Sequence, residues 1–418
     1  MNRPIRVLQV SDAFPPAVGG LERYVATLSQ RLAANGAEVV VATMEYPGAD
    51  RDEEVSGYRV VRLKGMTRYL RRLASDAGHY FHPTVPDPLL VWALQRLVDE
   101  FRPDVIHAHG WILESCVVLR RPRGTALVAT LHEYGTACVK KTYTQTATGC
   151  PNGPQLARCI ACARSTYGLP KSALLSTGLR MVRPLHRRVD RWIAISSAVA
   201  EANRVALLAD DDRVDVVPTF VPDDVGRLAQ TPLRYDVPVQ PFMLFVGAMG
   251  PHKGLNVLLE ARQRMHEPAP LLVLGIPRAD SPNLEQPGVI HHQNVPHPQV
   301  MASWAAAAVG VVPSVWPEPF GQVAVECLAA GTPAVVTATG GLGEIVRDGV
   351  EGLLVPPADP GALARALDRV LHEPGLRERL AAAAPARARQ YEVSRVLPMV
   401  LQTYERALGQ RRAMEGRR

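Results

Sequence analysis

Short apolar runs alternate along this chain with longer stretches in which apolar residues recur every three or four positions. Ile5 to Val10 is the first apolar run and Glu38 to Thr43 is the next, and both predict buried strands. Between them, one apolar stripe predicts a helix, and Gly36 is placed to end it. The stripe consists of Leu21, Tyr24, Val25, Leu28 and Leu32.

The same alternation continues to the end of the chain. Further strands are expected at residues 58–63, 105–108, 126–131, 192–195 and 215–218, with helical patterns between most of them. After a pause, strands are expected at residues 242–247, 271–275, 309–312, 334–337 and 352–355. Alternating strands and helices form a parallel sheet with helices on both faces, so the pattern predicts two domains of the α/β class.

The length of the chain also indicates two domains, because 418 residues are too many for one ordinary core. We expect a first domain over residues 1–219 and a second over residues 220–390, with a linker near residues 219–240. The segment 391–418 begins as an amphipathic helix up to Leu408, and Pro398 marks a start or a kink. Its last ten residues are basic and are expected to fray.

The net charge of +7 fits anionic ligands, nucleic acid or an acidic membrane surface. Aromatic residues make up 6% of the chain and no nucleic-acid module is visible, so nucleic acid is not expected as a partner. Basic residues concentrate in 62–72 and 171–191, where solvated arginine faces are favoured over a membrane patch. The first apolar run is too short for a signal peptide and no membrane span is visible, which favours a cytoplasmic protein, with peripheral contact to an anionic membrane left open.

The most informative segment is 313–331, which places Glu318 and Glu326 eight positions apart around a Phe-Gly turn that opens a helix. Free backbone N–H groups in the first turn of a helix bind anions. In one continuous helix the two carboxylates would lie roughly 12 Å apart. The spacing therefore suits an elongated ligand with a sugar at one end, a ribose at the other and phosphates near the amides.

Two glycine-containing loops each follow the first predicted strand of a domain. Gly19 and Gly20 let the backbone approach a phosphate or sugar at a helix start, although any tight turn can use such a pair. Lys253 lies at a loop-to-helix junction flanked by Gly250 and Gly254. Its ammonium can neutralise a diphosphate leaving group, which we favour over an exposed lysine that opposes the helix dipole.

Histidines mark the ends of two predicted strands. His107 and His109 are expected to point to one side of their strand, and His132 ends the next strand, so the imidazoles can converge. They could hold a substrate hydroxyl or a metal ion.

Four cysteines lie close together in the sequence, in an insertion over residues 136–165: Cys138, Cys150, Cys159 and Cys162. The Cys-x-x-Cys turn within this group can chelate a metal, so a structural Zn²⁺ site is one hypothesis and free thiols in an insertion are the other. Disulfides are not expected in a cytoplasmic chain.

These motifs together resemble the retaining glycosyltransferases of the GT-B class, family 4, also called group 1. The resemblance covers most of residues 5–390 and rests on Gly19-Gly20, His107-Ala-His109, the Val246-Gly…Lys253-Gly segment, Glu318-x7-Glu326 and the glycine-rich segment 340–355. It implies an α/β fold of two Rossmann-like, doubly wound parallel-sheet domains that face a cleft. The first domain would bind the acceptor and the second the nucleotide sugar, and the C-terminal helix would return to the first domain.

The resemblance also implies roles for particular residues. Glu318 and the backbone of Pro319, Phe320, Gly321 and Gln322 would hold the donor sugar, Glu326 the ribose, and Lys253 the diphosphate, with Gly19 and Gly20 also near the donor. His109 would lie at the reacting centre, and His132, Glu133 and Tyr134 on the acceptor side. The chain departs from the family pattern at Ala248, where Arg is common, and at Thr219, where Asn is frequent.

The implied reaction transfers a sugar from a UDP- or GDP-linked donor with retention of configuration, by a front-face route because both motif glutamates have binding roles. No Asp-x-Asp signature lies near the expected donor site, so no catalytic metal is expected. The acceptor could be a sugar or glycan, a lipid-linked molecule or a small secondary metabolite. An epimerase of the same fold and a non-catalytic sugar-nucleotide-binding protein are the alternatives.

Overall fold

The computed structural model describes residues 3–17, 19–73, 82–144, 149–150, 153–207, 211–239 and 241–416. The chain divides into two compact units. Unit 1 consists of Met1–Tyr143, Pro151–Val217 and Leu397–Arg418, and unit 2 consists of Thr144–Cys150 and Pro218–Val396.

Unit 1 contains an eight-stranded sheet. Its strands are β1 (Arg6–Ser11), β2 (Glu38–Met44), β3 (Asp52–Val55), β4 (Tyr58–Leu63), β5 (Val105–His109), β6 (Ala126–Leu131), β7 (Arg191–Ala194) and β8 (Val214–Val216). Their order is β3-β4-β2-β1-β5-β6-β7-β8. All neighbours pair in parallel except β3 and β4, which are antiparallel. The order reverses between β1 and β5, so the loops at their carboxyl ends form a crevice where ligands of such sheets bind.

One of the helices between the strands of unit 1 begins at a side-chain cap. These helices are α1 (Gly20–Ala34), α2 (Pro88–Phe101), α3 (Leu113–Cys116), α4 (Leu156–Tyr167), α5 (Leu169–Val182) and α6 (Ser197–Leu207). The side chain of Asp87 accepts hydrogen bonds from the N–H groups of Leu89 and Leu90 and so caps α2. The predicted apolar stripe of α1 is buried from Tyr24 to Leu32.

Unit 2 contains a six-stranded, fully parallel sheet in the order β11-β10-β9-β12-β13-β14. The strands are β9 (Met243–Val246), β10 (Leu271–Leu274), β11 (Val289–His292), β12 (Val309–Val312), β13 (Ala334–Thr337) and β14 (Gly352–Val355). The helices are α7 (Val225–Leu228), α8 (Leu255–Arg264), α9 (His297–Ala306), α10 (Gln322–Ala329), α11 (Leu342–Ile345), α12 (Pro360–His372) and α13 (Leu376–Ala388). Apolar side chains of the strands form one core with α8 and α12.

The predicted strands agree with the observed ones to within two residues at either end. Two strands were not predicted, and both lie at sheet edges. The β3 sequence Asp-Glu-Glu-Val has no apolar run, and β11 is half-buried throughout. A strand with little buried apolar surface leaves no hydrophobic signal in the sequence.

The last helix, α14, extends from Val393 to Gly416 and contains Pro398. The expectation that the last ten residues fray is wrong for those described, up to Gly416. The reason is that Glu415 pairs with Arg411 at 2.9 Å and accepts hydrogen bonds from the backbone N–H of Gly124. Within the described residues, none of the helices has both the length and the apolar content that crossing a bilayer requires.

Candidate active site

In unit 2, two predicted site residues meet where the strand order reverses. Lys253 ends a short turn in the loop after β9, and Glu318 lies in the loop after β12. The strands β9 and β12 are neighbours, with β10 on one side and β13 on the other. Ligands of open parallel sheets bind at this position, outside the carboxyl ends of the strands.

Glu318 is held by three side chains. The Lys253 ammonium donates to both carboxylate oxygens at 2.8 Å, the Ser314 hydroxyl donates at 2.8 Å and the Trp316 indole N–H donates at 2.9 Å. We call these four residues the Glu318 cluster. The bonds fix both the position and the orientation of the carboxylate.

Glu318 is only 8% exposed, yet its charge is stabilised. Burial alone would raise the pKa of this carboxyl, but the attraction of Lys253 and the hydrogen bonds from Ser314 and Trp316 outweigh it and lower the pKa below its usual value. The Lys253 ammonium lies 5.3 Å from the centre of the Trp316 ring. Because its side chain is 24% exposed, the ammonium remains within reach of a ligand.

Two glycines allow these loops to pack closely. Gly254 has a φ of +73°, and a Cβ there would lie 1.8 Å from the carbonyl oxygen of Pro313. Gly340 has a φ of +54°, and its Cβ would lie 2.1 Å from the carbonyl oxygen of Glu318. A side chain at either position would displace backbone of the Glu318 loop, so the sequence needs glycine at both.

The estimate of roughly 12 Å between the two motif carboxylates assumed one continuous helix, and that assumption is wrong. Helix α10 begins only at Gln322, after Gly321 with a φ of +114°. Pro319 has no N–H and Gly321 is left-handed, so the segment from Glu318 to Gly321 is a loop.

The start of α10 leaves backbone N–H groups without a side-chain cap at Gly321. Phe320, just before it, is buried against the ring of Tyr391 with ring centres 5.5 Å apart. Glu326 lies in the second turn and accepts a hydrogen bond from His297 Nε2 at 3.0 Å. The two motif carboxylates thus have separate partners, Lys253 for Glu318 and His297 for Glu326.

In unit 1, the histidines meet as predicted at the carboxyl ends of β5 and β6. His109 Nδ1 lies 3.0 Å from His132 Nε2, and His109 Nε2 lies 2.7 Å from the side-chain oxygen of Gln9. His107 bonds to the Tyr404 hydroxyl and to Thr130, both at 2.7 Å. Gln9 Nε2 also donates to the Tyr404 hydroxyl at 3.2 Å. We call this set of Gln9, His107, His109, Thr130, His132 and Tyr404 the histidine network.

The network fixes the proton positions on two imidazoles. The Gln9 oxygen can only accept, so His109 Nε2 carries the proton. Neutral His109 then accepts at Nδ1 from the N–H of His132 Nε2. This leaves a lone pair on His132 Nδ1, which has no hydrogen-bond partner in the described part of unit 1. His132 is therefore oriented as a hydrogen-bond acceptor.

His109 was predicted at the reacting centre, but it is fully buried and both its ring nitrogens are engaged. His132 is only partly buried and lines a cavity of about 220 Å³. His132 is thus the imidazole of the network that lines this cavity, and His109 lies behind it. A role of His109 at the reacting centre stays a prediction.

Burial lowers the pKa of His107 and of His132 to about 3, and the pKa of His109 well below its usual value. An unfolded chain binds protons on these groups near pH 6.5, whereas the folded protein does not. Stability is therefore present above pH 6.5 and lost as the pH falls towards 3. We expect the free energy of unfolding to fall by up to about 1.4 kcal/mol per pH unit for each of these histidines.

Urea denaturation at pH 7, 6 and 5 measures this slope. The His107→Gln variant provides the comparison, because it removes one titrating group and its slope should be smaller than that of the wild type. Equal slopes for the two proteins would show that His107 takes up its proton in the folded state.

The other acceptor-side candidates differ in their access to the cavity. Glu133 lines it and pairs with Lys141 at 2.9 Å, and the Lys141 ammonium lies 4.3 Å from the centre of the Trp111 ring. Tyr134 is 1% exposed and stacks on Tyr143 with ring centres 5.2 Å apart. Glu133 can therefore contact a ligand directly, whereas Tyr134 packs in the wall behind it.

Gly19 and Gly20 lie at the start of α1 in unit 1. Gly19 is extended, with a φ of −178°, a conformation that any residue adopts. A Cβ there would meet only the flexible carboxylate of Glu22. Backbone conformation alone does not require Gly19, and its contact with a donor stays a prediction.

Of the four clustered cysteines, Cys159 and Cys162 lie one turn apart on α4 rather than in a turn, which corrects the sequence interpretation. All four are half-buried, and none of them forms a disulfide. Burial raises the pKa of Cys138, which works against thiolate formation. Among the described residues, no three metal-binding side chains form a group that could hold an ion. Binding of Zn²⁺ stays a prediction.

Sequence reasoning missed several residues in and around these sites, among them Gln9, Lys141, His297 and Tyr404. Gln9 interrupts an otherwise apolar strand, and a polar residue within a buried strand was the signal that could have found it. Nothing in the sequence points to Tyr404, which reaches the network from α14, 297 residues after His107.

Comparison with known proteins agrees with this geometry. Residues 237–387 match the family model described as Glycosyl transferases group 1, and residues 18–225 match the model Glycosyltransferase Family 4. A D-inositol 3-phosphate glycosyltransferase from Frankia alni is 31% identical over 428 residues, which cover 93% of this chain and 95% of that protein.

Two solved structures share the fold. Sucrose-phosphate synthase from Thermosynechococcus elongatus aligns with a TM-score of 0.72 and 22% identity, over 97% of this chain and 99% of that one. HepE from Anabaena in complex with UDP-glucose aligns with a TM-score of 0.67 and 19% identity, over 96% and 99% of the two chains.

The two α/β units, each with a mostly or fully parallel sheet, have the GT-B fold. The chain belongs to glycosyltransferase family 4, the group 1 glycosyltransferases. It is therefore a transferase, and the epimerase and non-catalytic alternatives are set aside.

Proposed function

We propose that this chain transfers a sugar from a nucleotide diphosphate to an acceptor hydroxyl with retention of anomeric configuration and without a catalytic metal. The observation that carries the proposal is the Glu318 cluster, in which an oriented carboxylate and a reachable ammonium lie beside the start of α10. Such a pairing suits a ligand with hydroxyl groups and a diphosphate.

The residues in and beside the cluster have separate roles in this reaction. Glu318 accepts hydrogen bonds from sugar hydroxyls together with the amides at Phe320 to Gln322, and Glu326 accepts from the ribose. Lys253 neutralises the charge that develops on the departing diphosphate, as the first-turn amides of α10 also do. Ala248 is exposed and supplies no second cation, so Lys253 is expected to carry more of this stabilisation.

Retention by a front-face route fits the bonding of the two glutamates. Glu318 already receives three donors and Glu326 pairs with His297, so both are placed to bind rather than to attack the anomeric carbon. The departing phosphate oxygen then takes the proton of the acceptor hydroxyl as the new glycosidic bond forms. The protein contributes positioning and electrostatic stabilisation.

The donor is UDP- or GDP-linked in this proposal, and UDP-glucose in the HepE complex supports the first. Thermal stabilisation by a panel of sugar nucleotides, followed by NMR of the product's anomeric proton, tests donor and stereochemistry together. We expect stabilisation by one nucleotide class, a retained anomeric centre and activity that resists a chelator. An inverted product, or loss of activity with chelator, would contradict the proposed mechanism.

We further propose a peripheral contact with an anionic membrane through α5. Leu169, Leu174 and Met181 on this helix are 56%, 69% and 70% exposed, and Arg180 is exposed among them. Exposed apolar side chains beside basic ones bind anionic bilayers. We expect co-sedimentation with vesicles containing anionic lipid but not with neutral vesicles, and weaker binding by Leu174→Glu. An unchanged Leu174→Glu variant would rule out this surface.

A further inference from the structure

The cavity of unit 1 carries more negative than positive charge. Its described lining includes two carboxylates, Asp12 and Glu133, and one ammonium, Lys141. His132 adds no charge at neutral pH, because burial lowers its pKa to about 3. Counted with both carboxylates ionised, the formal charge of these lining groups is negative. Burial raises the pKa of Glu133, and Lys141 works against that rise.

The one ammonium in this lining is already paired. Lys141 donates to Glu133 at 2.9 Å and lies over the Trp111 ring at 4.3 Å from its centre. Asp12 accepts hydrogen bonds from the backbone N–H groups of Trp111 and Ile112, at 2.8 and 2.6 Å, so both of its oxygens are held by the backbone. A phosphate entering here would have to compete with Glu133 for Lys141 and would meet a second carboxylate.

The same groups suit a neutral polyol. Carboxylate oxygens of Glu133 and the lone pair on His132 Nδ1 accept hydrogen bonds from hydroxyls, and Trp111 offers an apolar face to a ring. A cavity of about 220 Å³ has room for one sugar- or cyclitol-sized ring.

We infer that this cavity selects an acceptor ring without a phosphate group, and that Glu133 is the residue that rejects phosphate. The inference rests on the proposed function and adds the substrate class of the acceptor. It sets this chain apart from the Frankia alni relative, whose name gives D-inositol 3-phosphate as its substrate.

Matched pairs of probes that differ only in phosphate test this: myo-inositol with inositol 3-phosphate, and glucose with glucose 6-phosphate. The assay contains the donor that stabilises the protein. We expect the rate of transfer to the unphosphorylated member, or its affinity measured by saturation-transfer NMR, to be at least about 10-fold higher. Preference for the phosphorylated member would overturn the inference, and so would a failure of all four probes to bind.

Two charge-changing variants give opposite expectations. Glu133→Gln frees Lys141 and should reduce the discrimination against phosphate at least several-fold, whereas Lys141→Gln removes the ammonium and should increase it. Glu100→Gln, an exposed carboxylate of α2 outside the cavity, should leave the ratio unchanged. If Glu133→Gln does not fold, the ratio of unphosphorylated to phosphorylated probe measured with Lys141→Gln tests the inference, and a ratio that does not rise contradicts it.

Donor binding separates this inference from the proposed function. If a sugar nucleotide stabilises the protein but phosphorylated probes are preferred, the transferase proposal stands and the acceptor inference fails. If no sugar nucleotide binds at all, the proposed function fails first.

Discussion

Replacing Lys253 by Met is expected to lower turnover by at least about 100-fold, because the diphosphate loses the cation that neutralises it as the sugar departs. Lys253 Nζ lies 2.8 Å from both oxygens of Glu318, so the change also leaves a nearly buried carboxylate without its cation. We expect a loss of about 1–3 kcal/mol of stability from the unpaired group. Steady-state kinetics and urea denaturation measure the two effects.

A double variant separates folding from catalysis. Lys253→Met with Glu318→Gln leaves no uncompensated charge, so most of the lost stability should return while turnover stays low. Arg264 is an exposed cation on α8 in the same unit. Its Arg264→Met variant should retain turnover within a factor of about two and should keep nearly the wild-type free energy of unfolding. Wild-type turnover in Lys253→Met would remove this residue from the mechanism.

The second large effect is expected at His132. His132 is the one imidazole of the histidine network that lines the described cavity, so His132→Ala should reduce kcat/KM by about 100-fold or more. The His266→Ala variant, an exposed histidine of unit 2, is the matched control and should retain activity.

The pH dependence distinguishes the role of His132 from a merely structural one. Because the pKa of His132 is about 3, wild-type activity should not fall between pH 7 and 5 through protonation of this ring. A fall of wild-type activity below about pH 6.5 that is absent from His132→Ala would contradict a neutral His132 in the folded protein. Tyr404→Phe, which loses the bonds to His107 and Gln9, should have a smaller effect than His132→Ala.

Much of the architecture could be predicted because buried parallel strands are nearly continuous apolar runs. The predicted strands at 126–131, 309–312 and 334–337 have the observed bounds. The pairing of Lys253 with Glu318 was not predicted, although both residues were, because contacts between loops depend on how neighbouring strands are ordered. Sequence spacing also misled: Glu318 and Glu326 are eight positions apart but do not share a helix.

The histidine network shows the limit of local reasoning. The family resemblance implied His109 at the reacting centre. Its burial behind His132 could not be read from the sequence, because it depends on Gln9 and on Tyr404, which lies far away in the chain. Charge in the acceptor cavity was equally hidden, since the basic composition of the loops gave no sign that Lys141 pairs with Glu133.

The assignment of Leu397–Arg418 to unit 1 has a practical consequence for anyone who wishes to isolate that half of the enzyme. A fragment that stops at Val217 would expose Asp215 and His107 without Thr403 and Tyr404, their partners on α14. Grafting the final segment onto such a fragment through a flexible linker should restore solubility, and the cavity of unit 1 could then be titrated in the absence of unit 2.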